Sequence, residues 1–136
     1  MKIGITGTRS GMSDHQKQVV ARFLQNSWIE GAEFHHGDCV GVDVEAAEIA
    51  KSLGYTVIAH PGPGGELCAG HESDEVRPNY SHFKRNRNIV DETDFLIVVP
   101  MQNEWQSKGG TWYTHDYAFK HGKALVIFYP EPVDVP

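Results

Sequence analysis

Short apolar segments alternate with longer amphipathic segments along almost the whole chain. The apolar segments have the length and composition of buried β-strands, and the amphipathic ones carry apolar residues at helical spacing. This alternation predicts a parallel sheet with right-handed crossovers and helices on both faces. The predicted strands cover residues 3–6, 32–36, 55–59, 94–99 and 124–129. The predicted fold class is therefore α/β, a single three-layer domain with a mainly parallel sheet of about five strands.

Local signals mark where the predicted helices begin and end. Ser13 and Gln16 form a capping-box pattern before the first helix, and Gly54 is a stop signal after the second. Further helices are predicted around residues 83–90 and over 111–121. Residues 61–80 show no periodicity, and a loop of that length in a compact domain is typical of a lid or binding loop.

The length of 136 residues suits one domain with one core. We predict a Rossmann-like nucleotide-binding domain over residues 1–130 and a proline-rich C-terminal tail over 131–136. No apolar run is long enough to cross a bilayer, and the N-terminus lacks the pattern of a secretory signal. We therefore expect a cytoplasmic protein with no membrane partner.

The formal net charge of −6 opposes the phosphate contacts that dominate nonspecific binding of DNA or RNA. The composition thus disfavours nucleic acid as a partner, whereas a small anion in a local basic pocket is compatible with it. The two cysteines, Cys39 and Cys68, are expected to be reduced in the cytoplasm. We predict no cofactor.

Glycine-rich turns separate a predicted strand from the following helix at three places. They contain Gly7, Gly37 and the Gly109-Gly110 pair. Each turn brings free backbone N–H groups and a helix N-terminus to one edge of the sheet, since the carboxyl ends of parallel strands meet there. This placement predicts a site for a phosphate group, as in a nucleotide or a phosphorylated ribose.

The same motifs resemble those of the SLOG superfamily, which includes the Lonely-guy-type phosphoribohydrolases and the Rossmann part of the DNA-processing protein A family. The resemblance covers most of the chain through the motifs at residues 4–9, 36–43, 85–86 and 109–111. The pattern is most similar to a small subgroup of unknown function. That subgroup pairs a Gly-Thr-Arg turn with His-Gly-x-x-x-Gly-x-Asp and a later Arg-Asn.

The resemblance implies that the glycine turns surround a nucleotide phosphate, with Arg9 or Arg85 supplying charge. A guanidinium group suits this task, because it is permanently charged and binds phosphate in a bidentate manner. The predicted ligand-binding residues are Gly7, Thr8, Arg9, Gly37, Asp38, Gly41, Asp43, Arg85, Asn86, Gly109, Gly110 and Thr111. Asp43 either binds a ribose hydroxyl or caps its own loop.

One departure from the hydrolase pattern bears on the chemistry. Lonely-guy-type enzymes carry a glutamate three residues after the Gly-Thr motif, and this chain has Thr114 there. Threonine cannot replace a carboxylate at an oxocarbenium-like centre. The first hypothesis is therefore a module that senses or sequesters its ligand. The alternative is a nucleoside 5′-monophosphate N-glycosidase with a relocated carboxylate, for which Arg85, Asp43 and Asp116 are the catalytic candidates.

A second alternative is a DNA-processing or protein-interaction accessory domain, and a homodimer is expected from the way related folds pair through their helices. The eight histidines lack the paired spacing of a metal site, so we predict no bound metal. Trp112 and Tyr113 are adjacent and cannot both face the core, which leaves one aromatic ring for a nucleobase or a partner subunit.

Overall fold

The computed structural model describes residues 1–132 and confirms the α/β class. Of the predicted tail, residues 133–136 lie outside the described part of the chain. The elements are β1 (Lys2–Gly7), α1 (Asp14–Ser27), β2 (Glu33–His36), α2 (Val42–Ser52), β3 (Thr56–Ala59), β4 (Glu75–Val76), α3 (His82–Glu92), β5 (Phe95–Val99), α4 (Gly110–Lys120) and β6 (Ala124–Ile127).

The sheet has six strands, all parallel, in the order β4-β3-β2-β1-β5-β6. About five strands were predicted from the sequence, because the two residues of β4 are too few to show a period. β4 lies inside the segment predicted as a loop, where Glu75 pairs with Ile58 and Val76 with Ala59. The loop prediction for residues 61–80 is corrected to this extent.

Alternate residues along the strands face opposite helix layers. Ile97 and Val99 belong to the apolar cluster that α1 and α2 complete, whereas Leu96 and Val98 pack with α3 and α4. One pair of helices thus covers each face of the sheet. Burial of the apolar side chains between helices and sheet is the main contribution to the stability of the fold. The predicted three-layer architecture is confirmed.

The predicted capping box at the start of α1 is present. The Ser13 hydroxyl accepts from the Gln16 N–H at 3.1 Å, and the Gln16 side chain accepts from the Ser13 N–H at 3.0 Å. The Gln16 amide also donates to the carbonyls of Pro100 and Phe128, at 2.8 and 2.9 Å. One buried side chain therefore caps a helix and holds it against the chain beyond β5 and β6.

The centre of the sheet contains its topological switch point. From β1 the chain adds β2, β3 and β4 on one side and β5 and β6 on the other. Beyond the carboxyl ends of β1 and β5 the connections diverge to opposite faces, which opens a crevice where ligands bind in such sheets. None of the helices in the described part of the chain has the length and apolar character needed to cross a membrane.

Candidate functional site

A cleft of about 470 Å³ lies at the switch point. Its volume is within the range of small-molecule sites, about 300–1,000 Å³. The residues that line it are Thr6, Gly7, Thr8, Arg9, Cys39, Asp43, His82, Phe83, Arg85, Asn86, Met101, Gln102, Lys108, Gly109, Gly110, Thr111 and Trp112. Most of the predicted ligand-binding residues are among them. Gly37, Asp38 and Gly41 are not, and neither is the catalytic candidate Asp116.

The N-terminus of α4 opens into the cleft without a cap. Gly109 is the N-cap residue and offers no side chain, and the first turn contains no acidic residue. The Tyr113 N–H donates to the Gly109 carbonyl at 3.0 Å, so the N–H groups of Gly110, Thr111 and Trp112 precede the first intrahelical hydrogen bond. These donors and the positive end of the helix dipole form a place for an anion.

The four helices differ in how their N-termini are capped. Ser13 caps α1 and Ser81 caps α3, each through its hydroxyl. α2 begins after Gly41 and has no side-chain cap, as in α4. Two of the three helices that follow the predicted phosphate turns, α2 and α4, thus begin at a glycine without a side-chain cap, and α4 opens directly into the cleft.

The Asn86 side chain is held in an orientation that suits an anion at this helix end. Its Oδ1 accepts from Nε of Arg85 at 2.7 Å, which leaves the NH₂ group as a donor. Nδ2 lies 3.7 Å from the point that a Cβ atom on Gly110 would occupy. The amide therefore adds a side-chain donor beside the free N–H groups of α4.

Two cationic side chains, Arg9 and Lys108, also line the cleft. Both are exposed, and neither makes a side-chain hydrogen bond or an ion pair with another residue of the 1–132 range. Arg9 was predicted from the sequence, but Lys108 was not, and it lies in the segment that departs from the hydrolase pattern. The position of Lys108 directly before the Gly-Gly-Thr motif is the sequence signal from which it could have been predicted.

The Arg85 guanidinium is buried, with 4% of the residue exposed, and is bonded within the protein. It donates to the carbonyls of Gly37 and His60, to Oδ1 of Asn86 and to Nδ1 of His82. These bonds tie α3 to the ends of β2 and β3. Arg85 lines the cleft, but most of its donors are committed to the fold rather than to a ligand.

The Asp43 carboxylate caps its own turn, which is one of the two roles predicted for it. It accepts from the Gly37 N–H at 2.9 Å and from the Cys39 N–H at 3.5 Å. Burial removes water from the charged form and raises the pKa of Asp43 to about 6, against the opposing effect of the Arg85 cation. A protonatable carboxyl thus forms part of the cleft wall.

Gly37 and Gly41 are required for close packing. A Cβ atom on Gly37 would lie 2.8 Å from both the Arg85 guanidinium and the Asp43 carboxylate. Gly41 has a φ of +92°, and a Cβ atom there would lie 2.4 Å from the Arg9 carbonyl oxygen. Both glycines let the turn after β2 approach its neighbours, and neither lines the cleft.

Asp38 holds the long loop after β3 in place. Its Oδ1 accepts from the His71 N–H at 2.9 Å, and its Oδ2 accepts from the Cys68 thiol at 3.2 Å. With a φ of 54°, Asp38 occupies the left-handed region, which Asp tolerates better than most residues. The residue predicted to bind the ligand therefore fixes the loop beside the cleft.

The remaining acidic candidate, Asp116, lies outside the cleft. Its carboxylate accepts from the Trp105 indole N–H at 2.9 Å. Thr114, at the position of the hydrolase glutamate, is buried and donates its hydroxyl to the Gly110 carbonyl at 2.8 Å. Of the adjacent aromatic pair, Trp112 lines the cleft, and Tyr113 accepts a hydrogen bond from Arg87 through its hydroxyl.

Among the described residues, one group brings three potential metal ligands together: His35, His60 and Glu92. Nδ1 of His35 and Nε2 of His60 form a hydrogen bond at 2.8 Å. The Glu92 carboxylate accepts a hydrogen bond from Nε of Arg77 at 3.0 Å. Burial lowers the pKa of both imidazoles, that of His60 to about 3. We interpret the group as a hydrogen-bond network beneath the loop, away from the cleft.

Fold and site together define a Rossmann-like α/β protein with an anion-suited cleft at its switch point. No protein-family model matches the sequence, and no curated protein sequence matches it. Solved structures do match the fold. The molybdenum cofactor binding protein from the phototrophic bacterium Rippkaea orientalis is 18% identical, with a TM-score of 0.71 over 96% of this chain and 77% of that one.

Two further solved structures show the same likeness. The molybdenum cofactor carrier protein from Chlamydomonas reinhardtii is 20% identical, with a TM-score of 0.65 over 93% of this chain and 74% of its own. DNA processing protein A from Helicobacter pylori is also 20% identical, with a TM-score of 0.64 over 93% of this chain and 64% of its own. The latter belongs to a group that the sequence resembles, so the resemblance is confirmed at the level of the fold.

Proposed function

We propose that this protein binds a nucleotide or another phosphorylated ribose compound, with the phosphate at the N-terminus of α4. The uncapped first turn of that helix carries the proposal, since its free N–H groups face a cleft of ligand size. Asn86, Arg9 and Lys108 supply further donors and positive charge around the same point. This local concentration of donors contrasts with the net charge of −6.

The rest of the cleft suits the remainder of such a ligand. Phe83 is exposed and offers aromatic surface for a base, whereas Trp112 lines the cleft as a buried side chain. Gln102 and Thr6 offer polar groups for sugar hydroxyls. A cleft of mainly apolar walls with a few converging polar groups is the usual form of a small-molecule site. The role is sensing or sequestering, because no carboxylate stands at the hydrolase position.

The test is calorimetry, with thermal unfolding as a second readout, against a panel of ligands. The panel contains the nucleoside 5′-monophosphates, ADP-ribose, ribose 5-phosphate and inorganic phosphate. It also contains the molybdenum cofactor, because one structural neighbour is described as its binding protein and another as its carrier. We expect at least one phosphorylated ribose compound to bind and to raise the unfolding temperature. A panel without binding or stabilisation at millimolar ligand contradicts the proposal.

Variants of the two exposed cations locate the phosphate. Arg9→Gln and Lys108→Gln each remove one charge from the cleft, and we expect each to weaken binding about tenfold, roughly 1.4 kcal/mol. Arg22→Gln on the exposed face of α1 is the matched control, because it changes the net charge equally away from the cleft. Equal losses in all three variants would mean that only the overall charge matters.

A second candidate function is N-glycosidase activity on nucleoside 5′-monophosphates, favoured by the position of Asp43. Among Asp38, Asp43 and Asp116, only Asp43 lines the cleft. Its pKa of about 6 suits general acid–base catalysis near neutral pH. The assay is release of free base from each nucleoside monophosphate, with Asp43→Asn and Asp116→Asn compared. No release from any substrate excludes this function, and release that survives Asp43→Asn excludes Asp43 as its acid–base group.

The second alternative was an accessory domain for DNA processing or protein interaction, and the Helicobacter pylori neighbour suggests its form with single-stranded DNA. The chain's net charge disfavours it. A mobility-shift assay at low salt tests it directly, and we expect no shift. A salt-dependent shift that Arg9→Gln and Lys108→Gln weaken would instead place DNA in the cleft.

A further inference from the structure

Cys39 and Cys68 face each other across an antiparallel bridge at the edge of the cleft. Cys39 belongs to the turn after β2 and lines the cleft, whereas Cys68 is exposed in the loop after β3. They are the only cysteines of the chain, and 28 residues separate them in sequence. The fold therefore brings together two thiols that the sequence keeps apart.

The backbone hydrogen bonds around the bridge define its geometry. The Val40 N–H donates to the Leu67 carbonyl at 3.0 Å, and the Ala69 N–H donates to the Asp38 carbonyl at 2.8 Å. The bonds flank the two cysteines, which are thus a non-hydrogen-bonded antiparallel pair. In such a pair the Cα atoms lie about 4.5 Å apart and the side chains leave on the same face. That spacing falls within the range of about 4.4–6.8 Å found in disulfides.

Both thiols are free, and each has its own acceptor. The Cys39 thiol lies 3.7 Å from the Gly37 carbonyl oxygen, and the Cys68 thiol lies 3.2 Å from Oδ2 of Asp38. These contacts are weak compared with N–H···O bonds, because S–H is a poor donor. Rotation of the two side chains, with the bridge kept as it is, brings the sulfur atoms toward each other.

We propose that Cys39 and Cys68 are a redox-sensitive thiol pair that closes to an intramolecular disulfide and fixes the loop after β3 against the turn after β2. In the reduced protein this part of the loop is held by the two bridge hydrogen bonds and by the Asp38 carboxylate. The disulfide adds a covalent link at the same point. The proposal is independent of which ligand the cleft binds.

The oxidant is a low-molecular-weight disulfide such as glutathione disulfide. Cys68 is exposed and reacts first: its thiolate attacks one sulfur of the oxidant, forms a mixed disulfide and releases one glutathione thiolate, which takes up a proton. The Cys39 thiolate then attacks the Cys68 sulfur, forms the protein disulfide and releases the second glutathione thiolate. Two protein thiols are oxidised, and one glutathione disulfide is reduced to two glutathione molecules.

The order of the two steps follows from the surroundings of the thiols. Burial raises the pKa of the Cys39 thiol, and the neighbouring Asp43 carboxylate acts in the same direction. Cys39 is therefore a poor target for an oxidant in solution. It reacts when the Cys68 mixed disulfide is held directly beside it by the bridge.

The experiment measures the disulfide equilibrium of the whole chain in glutathione buffers at low micromolar protein, with free thiols alkylated and counted by mass spectrometry. The same titration is run in concentrated urea, where the two cysteines meet only by random loop closure. We expect the native chain to form the intramolecular disulfide at least about tenfold more favourably than the unfolded chain. An equal or smaller constant in the native chain, or disulfide-linked dimers in its place, overturns the proposal.

Single variants separate the two thiols. In Cys39→Ser we expect the glutathione mixed disulfide to accumulate on Cys68, because no second thiol resolves it. In Cys68→Ser we expect little modification, since Cys39 is only partly exposed and its thiol pKa is raised. Rapid glutathione addition to Cys39 in the latter variant contradicts the proposed order.

Hydrogen exchange tests the effect on the loop. In the oxidised chain we expect the Val40 and Ala69 amides, which make the bridge hydrogen bonds, to exchange at least about tenfold more slowly than in the reduced chain. Cys39→Ser treated with the same oxidant is the control and should show no slowing. Unchanged exchange in the fully oxidised wild-type chain contradicts the fixing of the loop.

Discussion

Arg85 shows how a residue that resembles a ligand contact in sequence can serve the fold in structure. Its permanent charge and its motif both indicated a phosphate-binding arginine. In the structure its donors bond carbonyls and side chains that close the ends of β2 and β3. The exposed cations Arg9 and Lys108 are the ones left for an anion.

Replacement of Arg85 tests that distinction. Arg85→Met leaves the Gly37 and His60 carbonyls without these donors and the buried Asp43 carboxylate without its cation. We expect a loss of about 3–5 kcal/mol in the free energy of unfolding, measured by urea denaturation. Arg87→Met on the same helix removes one hydrogen bond to Tyr113 and should cost about 0.5–1.5 kcal/mol. Equal costs for the two variants contradict the structural role of Arg85.

Asp43 gives the molecule a distinct pH dependence. Its folded pKa of about 6 lies above the ordinary value of 3.8, so the folded state holds this proton more tightly than the unfolded state does. The resulting stabilisation is complete below about pH 3.8 and is lost as the pH rises through 6. It amounts to about 3 kcal/mol.

The comparison that isolates Asp43 is urea unfolding of the wild type and Asp43→Asn between pH 4 and pH 7. Across that interval we expect the wild type to lose about 2.4 kcal/mol relative to the variant. Asp116→Asn is the control for charge, because it removes one half-exposed carboxylate outside the cleft. Parallel curves for Asp43→Asn would show that its carboxyl titrates normally.

At the scale of the elements, the turns after β1 and β2 are built around each other. Gly7 admits the Val42 side chain from the start of α2, and the Val42 N–H donates to the Thr8 carbonyl at 3.1 Å. Gly41 lies against the carbonyls of Thr8 and Arg9. The glycines therefore set how closely β1 and α2 meet, which in turn places Arg9 at the cleft.

A pair of glycine substitutions measures this packing. Gly41→Ala introduces both left-handed strain and a clash with backbone, and we expect a loss of at least about 3 kcal/mol in unfolding free energy. Gly31→Ala is the matched control, since its φ of +84° brings the same strain with open space around the new methyl group. It should cost about 1–2 kcal/mol. Equal losses would mean that conformation alone requires glycine at position 41.

The elements also show what the sequence could predict. The strands and helices with an apolar period, and the capping box of Ser13 and Gln16, are present as predicted. β4 was missed because it has two residues and depends on pairing with β3. The approach of Gly41 to Arg9 and the engagement of Arg85 were also missed, because both are contacts between segments distant in sequence.

At the scale of the whole molecule, chain topology explains why the cleft lies where it does. The strand order reverses at β1, which separates the connections after β1 and β5. The glycine turns lie close together because the carboxyl ends of the parallel strands meet at one edge of the sheet. The motif spacing was enough to predict this edge and most residues of the cleft. The expected homodimer stays a prediction, which sedimentation equilibrium of the full chain tests.

The central claim is that a phosphate group binds at the first turn of α4. Amide NMR during titration with ribose 5-phosphate tests it most directly, with ribose at equal concentration as the control. We predict that the backbone amides of Gly110, Thr111 and Trp112 and the side-chain amide of Asn86 shift with the phosphorylated sugar and not with ribose. Shifts confined to other parts of the chain, or no shifts at saturating millimolar ligand, contradict the account.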